Sequence, residues 1–273
     1  MTFQADQHAH IVGLGLIGGS IALALQQQGW LVTGEDQAES SATKALNLGI
    51  ICGSVPHSDT SLIFICTPAG HVVEAATTML KRFDSMALLV TDVAGVKGSI
   101  ASQITDTRFI GGHPMAGSEM RGLEGARANL FTGCTWVLTP SAATSPDNYA
   151  KLHGVLRSLG ASVMALEAND HDRMVAMASH VPHIVAGALM NEASEMAESD
   201  GALLRLAAGG FRDMTRISAG DPSIWPDILF ENDAAVLAGL SRLQDRIADI
   251  TSLLRQKDRE ALLGSLSTAA EAR

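Results

Sequence analysis

Residues 10–29 read HIVGLGLIGGSIALALQQQG, and this stretch decides the fold of the first half of the chain. A short apolar run leads into a Gly-x-Gly-x-x-Gly turn at Gly13, Gly15 and Gly18, and an Ala/Leu-rich helical pattern follows. Gly13 allows a tight turn, Gly15 lets a pyrophosphate approach the backbone, and Gly18 lets the helix close on the strand. We therefore expect a dinucleotide with its phosphates at the start of this helix.

The same alternation of an apolar run with a helical stretch repeats along the first part of the chain. Seven apolar runs alternate with helix-length stretches between residues 9 and about 166: AHIVGLG, WLVTGED, SLIFICT, MALLVTD, TRFIGG, TWVLTP and ASVMALE. Continuous β-branched runs of this kind are typical of strands that are buried on both faces of a mostly parallel sheet. We predict an α/β Rossmann domain with a doubly wound sheet over residues 1–167.

After residue 167 the β-branched runs stop, and Ala, Leu, Met, Glu and Arg recur at helical spacing. One long helix is predicted to begin near Asn169 and Asp170 and to tolerate Pro182 as a kink. A second periodic stretch, DPSIWPDILFENDAAVLAGLSRLQDRIADITSLLRQKD, is longer than an average helix. We predict an all-α domain over residues 168–273 that forms a homodimer through its long helices.

Composition excludes several classes of function. The 273 residues include 19 basic and 29 acidic side chains, which give a net charge of −10, and no run of Lys or Arg occurs. A nucleic-acid or anionic-membrane partner is therefore not expected. The N-terminus lacks a signal-peptide pattern, no apolar run is long enough to span a bilayer, and the three cysteines form no disulfide framework. These features predict a cytoplasmic protein.

The choice of nucleotide is predicted from the end of the second strand, TGEDQ. Glu35 and Asp36 stand about twenty residues after the glycine turn, where a carboxylate accepts hydrogen bonds from the adenosine ribose, and we assign that role to Asp36 because it comes last. No Arg follows that could bind a 2′-phosphate, so NAD is favoured over NADP. The remaining candidate cofactor-binding residues flank strand ends, and they are Leu16, Ile17, Thr67, Pro68 and Asp92.

Two further stretches, TDVAGVKGSI at 91–100 and FIGGHPMAGSEMRG at 109–122, follow neighbouring strands. Carboxyl ends of parallel strands meet at one edge of a sheet, so both stretches are expected near the nicotinamide. The second holds His113 between two glycines and a proline.

With these motifs in hand, the chain resembles the prephenate/arogenate dehydrogenase family of tyrosine biosynthesis, in its stand-alone form. GLGLIGGS, TDVAGVKG, GGHPMAGSE, SHVPH and GGFRDMTRISAGDPSIW occur in the family's order and span nearly the whole chain. The resemblance implies a Rossmann domain joined to a helical dimerisation domain. It also implies NAD-dependent oxidative decarboxylation of a dianionic cyclohexadienyl substrate, either prephenate to 4-hydroxyphenylpyruvate or arogenate to tyrosine.

The resemblance also implies roles for single residues. His113 becomes the group that accepts the proton of the substrate's 4-hydroxyl, and Arg216 binds a substrate carboxylate. Glu119 orients the site or gates access to it, with an exposed loop carboxylate as the alternative. His180 and His183 line the substrate pocket, with packing histidines as the alternative. A zinc site at this histidine pair is not predicted, because no third ligand is suitably placed.

Five other residues near these motifs receive weaker assignments. Many family members carry Ser where this chain has Gly95, so the hydroxyl that would touch His113 is missing, and water or Ser118 is expected to replace it. Lys97 is either a site residue or a solvated lysine. Arg212 is kept out of the site, and Trp225 is read as core more readily than as a pocket wall.

Two other functions compete with this interpretation. A two-domain dehydrogenase of the β-hydroxyacid type would need a catalytic lysine early in the second domain, but Lys257 near the C-terminus is the only lysine there. A non-catalytic NAD-binding sensor would have no need for His113, His183 and Arg216 together, and it would reduce no NAD with a cyclohexadienyl acid.

Overall fold

A computed structural model describes residues 7–117, 120 and 122–273 of the chain. Ser118, Glu119 and Arg121 lie outside the described residues. All seven predicted strands are present: β1 (His8–Val12), β2 (Leu31–Glu35), β3 (Thr60–Ile65), β4 (Leu89–Asp92), β5 (Phe109–Pro114), β6 (Thr135–Thr139) and β7 (Ser162–Ala165). They form one sheet in the order β2-β1-β3-β4-β5-β6-β7.

The sheet is mostly parallel, as predicted, and β5 and β6 form its one antiparallel pair among the described residues. The direction of chain progression reverses at β1, because β2 lies on one side of it and β3 on the other. Ligands of open α/β sheets bind at such a switch point, outside the carboxyl ends of the strands. The loops that follow β1 and β3 are therefore where a dinucleotide is expected.

Both faces of the sheet are buried, which explains the continuous apolar runs. On β3, Leu62 and Phe64 belong to one apolar cluster, whereas Ile63 and Ile65 belong to the cluster on the other face. The helices that cover the sheet are α1 (Leu16–Gln26), α2 (Glu39–Asn47), α3 (Val72–Arg82), α4 (Gly98–Gln103) and α5 (Pro146–Ser158). The doubly wound arrangement is confirmed.

After β7 the described chain is helical. The helices are α6 (Ala168–Val175), α7 (Val181–Ser199), α8 (Leu203–Leu206), α9 (Gly209–Thr215), α10 (Trp225–Glu231), α11 (Asp233–Gln256) and α12 (Arg259–Ala272). A wide turn, Ala176–His180, with the hydrogen-bond spacing of a π-helix, precedes α7. Pro182 lies in the first turn of α7, where its missing N–H costs least. The single long helix predicted from Asn169 is therefore divided into α6, the wide turn and α7.

The second long helical stretch is interrupted, unlike in the sequence prediction. Helix α10 ends at Glu231, and the 24-residue helix α11 begins only at Asp233. Between them Asn232 leaves the helical conformation, and its side-chain amide donates a hydrogen bond to the carbonyl oxygen of Asp172 at 2.9 Å. The helical periodicity of the sequence gives no indication of this tertiary hydrogen bond.

The chain divides into two compact units, residues 1–175 with 220–232, and residues 176–219 with 233–273. Helix α6 and the segment 220–232 therefore belong to the unit that contains the sheet. The domain boundary predicted at 167/168 stays a prediction. No helix among the described residues is long and apolar enough to cross a membrane.

Candidate active site

The turn after β1 has the geometry of a phosphate cradle. Gly13 has a φ of +100°, and a Cβ added there would lie 2.6 Å from the carbonyl oxygen of Cys66. A Cβ on Gly18 would lie 2.0 Å from the carbonyl oxygen of Gly13, so α1 packs directly on the turn. Nothing lies within 4 Å of a Cβ on Gly15, the residue that precedes the first helical position. The turn is therefore open where a pyrophosphate would meet the helix N-terminus.

Residues on both sides of the switch point also fit a bound nucleotide. Leu16 and Ile17 form the first turn of α1 and pack partly against the apolar cluster beneath it. Thr67 and Pro68 follow β3, and the Thr67 hydroxyl is buried with no hydrogen-bond partner among the described residues. A buried hydroxyl normally has a partner, so a ligand polar group at this loop would satisfy it.

The two acidic residues at the end of β2 have different surroundings. Asp36 accepts the backbone N–H of Leu14, within the glycine turn, at 2.7 Å and that of Ala38 at 2.9 Å. Glu35 instead lies beside the buried ring of His10, with 3.7 Å between Oε2 and Nε2, and this contact lowers the pKa of the Glu35 carboxyl. Asp36 is therefore the acid that contacts the glycine turn, and its contact with the ribose stays a prediction.

Asp92 lies at the end of β4 and is fully buried. Its carboxylate forms an ion pair with Lys97 and accepts the backbone N–H groups of Ala94 and Gly112, both at 3.0 Å. Lys97 is itself only 1% exposed, so the solvated alternative for this lysine is wrong. Burial lowers the pKa of the Lys97 ammonium, and the Asp92 carboxylate opposes that effect. This pair joins the loop after β4 to the strand that holds His113.

His113 lies within β5, rather than in a loop after it, and pairs with Val137 of β6. The carboxyl end of β5 lies at the same edge of the sheet as the loops after β1 and β3. Nδ1 of His113 is 2.9 Å from Nε2 of His171. A Cβ added to Gly95 would lie 3.8 Å from Cε1 and Nε2 of His113, so the other edge of the ring faces Gly95.

His171 and Asp172 are site residues that the sequence analysis missed. Both follow the start of α6 and are buried, and Nδ1 of His171 is 2.8 Å from Oδ1 of Asp172. The Asp172 carboxylate also accepts the backbone N–H groups of Lys97 and Gly98. The one sequence signal for them is that a His-Asp dipeptide directly follows the predicted helix start at Asn169 and Asp170.

His180 and His183 belong to the second compact unit. His180 ends the wide turn before α7 and is 2% exposed, whereas His183 is half-buried in the first turn of α7. Burial lowers the pKa of the His183 imidazole, although a hydrogen bond with the backbone of Ile217 opposes this effect. The neutral form of His183 is therefore favoured.

Arg216 also belongs to the second unit, where it directly follows α9 and is exposed. Arg212 is exposed within α9. Trp225 begins α10 in the first unit and is half-buried. Glu119 and Ser118 lie outside the described residues. No group of three or more His, Cys, Asp or Glu side chains in the described part of the chain is arranged to hold a metal ion.

Comparison with known proteins adds independent findings. Residues 21–165 match the family model described as "Prephenate dehydrogenase, nucleotide-binding domain", and residues 167–268 match "Prephenate dehydrogenase, dimerization domain". The prephenate dehydrogenase of Bacillus subtilis (strain 168) is 34% identical over 275 residues, which cover 96% of this chain and 74% of that protein.

Two solved structures are similar over nearly their whole length. A crystal structure of prephenate dehydrogenase from A. aeolicus in complex with hydroxyphenyl propionate and NAD+ has a TM-score of 0.90 and 30% identity, covering 98% of this chain and 97% of that chain. A crystal structure of Synechocystis arogenate dehydrogenase has a TM-score of 0.84 and 32% identity, covering 98% of this chain and 99% of that chain.

Proposed function

This chain belongs to the prephenate dehydrogenase family, and on that premise we propose that His113 accepts the 4-hydroxyl proton of its substrate. The protein is an NAD-dependent oxidoreductase that oxidatively decarboxylates prephenate or arogenate. The observation that carries the proposal is the position of His113. His113 lies in β5, at the carboxyl edge of the sheet. The buried Asp92–Lys97 pair connects β5 to the loop that follows β4.

The proposed chemistry assigns one proton transfer to the protein. NAD, when bound, supplies the acceptor for the hydride that leaves the 4-hydroxyl carbon. His113 takes the hydroxyl proton as that carbon becomes a carbonyl, and a positioned base of this kind contributes about 10²–10⁴ in rate. The bond between the ring and its carboxylate then breaks, and CO2 leaves. The electron pair of that bond stays with the ring, which becomes aromatic. The phenol oxygen recovers the proton, which returns His113 to its neutral form.

Substrate binding is proposed for residues of the helical region. Arg216 is proposed to bind a substrate carboxylate, because a guanidinium donates two parallel hydrogen bonds to one carboxylate. His180 and His183 are proposed to line the pocket, which a neutral His183 would suit. Glu119 stays a proposed site residue on the strength of the motif GGHPMAGSE alone.

We also propose that the protein is a homodimer, which fits the dimerisation-domain match over residues 167–268. Apolar side chains are exposed on the last two helices of the second unit, and they are Leu237, Ile247, Leu254, Leu263 and Leu266. A monomer would leave these side chains in water. A cytoplasmic location is proposed as well, because Cys52, Cys66 and Cys134 all remain free thiols.

The decisive experiment follows NADH formation by the purified protein with prephenate and with arogenate, each with NAD and with NADP in parallel. We expect NADH from at least one substrate and slower turnover with NADP, because the Asp36 carboxylate would repel a 2′-phosphate. Release of CO2 in equal amount to NADH would establish the decarboxylation. No reduction of NAD with either acid would refute the proposed function and favour a binding protein.

A further inference from the structure

A continuous hydrogen-bonded series of side chains runs from His113 into the interior of the first compact unit. Nδ1 of His113 is 2.9 Å from Nε2 of His171, and Nδ1 of His171 is 2.8 Å from Oδ1 of Asp172. His171 is fully buried, and Asp172 is 7% exposed. The two histidine rings meet edge to face, at 75° between their planes. Nδ1 of His113 and both ring nitrogens of His171 therefore each have a defined neighbour.

Asp172, at the inner end of the series, accepts backbone N–H groups with its carboxylate and a side-chain amide with its carbonyl oxygen. Oδ1 of Asp172 accepts the backbone N–H of Lys97 at 2.8 Å, and Oδ2 accepts that of Gly98 at 2.7 Å. The carbonyl oxygen of Asp172 accepts the side-chain amide of Asn232 at 2.9 Å. A carboxylate can only accept, so Nδ1 of His171 must carry a proton and donate it to Oδ1. If Nδ1 of His171 carried no proton, its lone pair would face a lone pair of Oδ1 of Asp172.

The proton on Nδ1 of His171 fixes the next hydrogen bond. In a neutral imidazole only one nitrogen carries hydrogen, so Nε2 of His171 is an acceptor and Nδ1 of His113 is the donor to it. The lone pair of neutral His113 is then on Nε2. Nε2 lies on the edge of the ring that faces Gly95.

We propose that His171 and Asp172 are positioning residues that hold His113 as its Nδ1–H tautomer and present Nε2 to the substrate's 4-hydroxyl. This inference rests on the proposed function of His113. The two residues touch neither substrate nor cofactor in this proposal, and they act through the orientation and tautomer of the His113 ring. When His113 takes up the proton, the Asp172 carboxylate stabilises the cation through the intervening His171 ring.

The packing around Asp172 leaves little freedom for it to move. A Cβ added to Gly98 would lie 2.9 Å from Oδ2 of Asp172 and 2.9 Å from Oδ1 of Asn169, so a larger residue there would have to displace these side-chain ends. The carboxylate is thus held by backbone N–H groups on one side and by His171 on the other.

The first test reads the tautomer directly in the wild-type protein. Histidine labelled with 15N gives two-bond 1H–15N correlations that distinguish Nδ1–H from Nε2–H rings. The His113 signals are identified by their loss in His113→Asn. We expect His113 and His171 both as Nδ1–H tautomers at a pH where His113 is neutral. An Nε2–H tautomer at His113 would overturn the inference.

The second test separates kcat from KM in variants. In Asp172→Asn the carboxylate that stabilises the His113 cation is replaced by a neutral amide, and the amide NH2 must face either the Gly98 N–H or the Lys97 N–H and the His171 ring. We expect kcat to fall by about 10- to 10³-fold while KM stays within about threefold. Asp170→Asn is the matched control, because Asp170 is exposed on the same helix and pairs with Arg173. Its kcat should stay at the wild-type value.

A further variant covers the case in which Asp172→Asn does not fold. His171→Phe keeps a buried ring of similar shape, leaves Asp172 with its two backbone donors, and removes both ring nitrogens. The same loss of kcat at nearly constant KM is expected. A kcat within twofold of wild type in His171→Phe would overturn the inference. Failure of wild type to reduce NAD would instead refute the proposed function, and the tautomer spectrum would still be readable.

Discussion

At the scale of single residues, the proposed proton acceptor is the most direct target. Replacing His113 by Asn removes the basic nitrogen but keeps a side chain of similar polarity. We expect kcat to fall by about 10²–10⁴ with a similar KM, because a proton acceptor acts in the transition state more than in binding. Initial rates of NADH formation over a range of substrate concentrations measure both constants.

His153→Asn is the control for this prediction, because His153 lies half-buried on α5, where it contacts the ring of Tyr149. Its kinetic constants should be those of wild type. An unchanged kcat in His113→Asn would remove His113 from the mechanism.

Arg216 gives a second residue-scale prediction. Loss of a guanidinium that binds a substrate carboxylate should raise KM by about 10- to 100-fold, the range of a charge-assisted hydrogen bond. Arg216→Ala should therefore act mainly on KM for the substrate, with KM for NAD unchanged. Arg212→Ala is the matched control from the adjacent helix, and it should change neither constant. A normal substrate KM in Arg216→Ala would exclude the proposed carboxylate contact.

At the scale of structural elements, the end of β2 should control the choice of nucleotide. Asp36→Ser combined with Gln37→Arg removes the carboxylate that repels a 2′-phosphate and adds a cation that can bind it. We expect the ratio of kcat/KM for NADP to that for NAD to rise by at least about tenfold, a difference of about 1.4 kcal/mol in transition-state binding. Gln37→Arg alone is the control. An unchanged ratio would argue against Asp36 as the ribose contact.

The buried ion pair that links the loop after β4 to β5 should matter for stability. Lys97→Met leaves the Asp92 carboxylate buried without its cation, and breaking such a pair typically costs about 3–5 kcal/mol. We expect the midpoint of urea unfolding to fall clearly, as followed by circular dichroism.

Two further variants test whether the loss of stability in Lys97→Met comes from the unpaired buried charge. Lys44→Met breaks a pair whose members are exposed, Lys44 with Glu124, and should leave the urea midpoint close to that of wild type. Lys97→Met combined with Asp92→Leu should be less destabilised than Lys97→Met alone, because no uncompensated charge remains. Equal midpoints for Lys97→Met and wild type would contradict the role given to the pair.

For the assembled protein, the relevant surface is one face of α11, which we relate to dimer formation. Ile247 and Leu254, seven residues apart and so on one face, are exposed, whereas Val236 on the same stripe is buried. The first half of the stripe is covered by the protomer itself, and the second half is free to pack against another protomer. We propose this half as part of the dimer contact.

Ile247→Glu combined with Leu254→Glu should therefore dissociate the dimer. Light scattering after size-exclusion chromatography is expected to give about twice 28.6 kDa for wild type and about 28.6 kDa for the variant. Ala238→Glu, on the opposite face of α11, should leave the mass at the wild-type value. A wild-type mass equal to one chain would contradict the homodimer.

Local spacing and burial on both faces were enough to predict the seven strands, the mostly parallel sheet and the position of the glycine turn. The motif GGHPMAGSE also indicated His113, although the structure places this residue within β5 rather than after it. The break at Asn232, the buried state of Lys97 and the series from His113 to Asp172 were decided only by the tertiary structure. These features join residues that are 5 to 60 positions apart through hydrogen bonds and an ion pair. Hydrophobic periodicity records which face is buried, but it carries no information on which polar groups meet there.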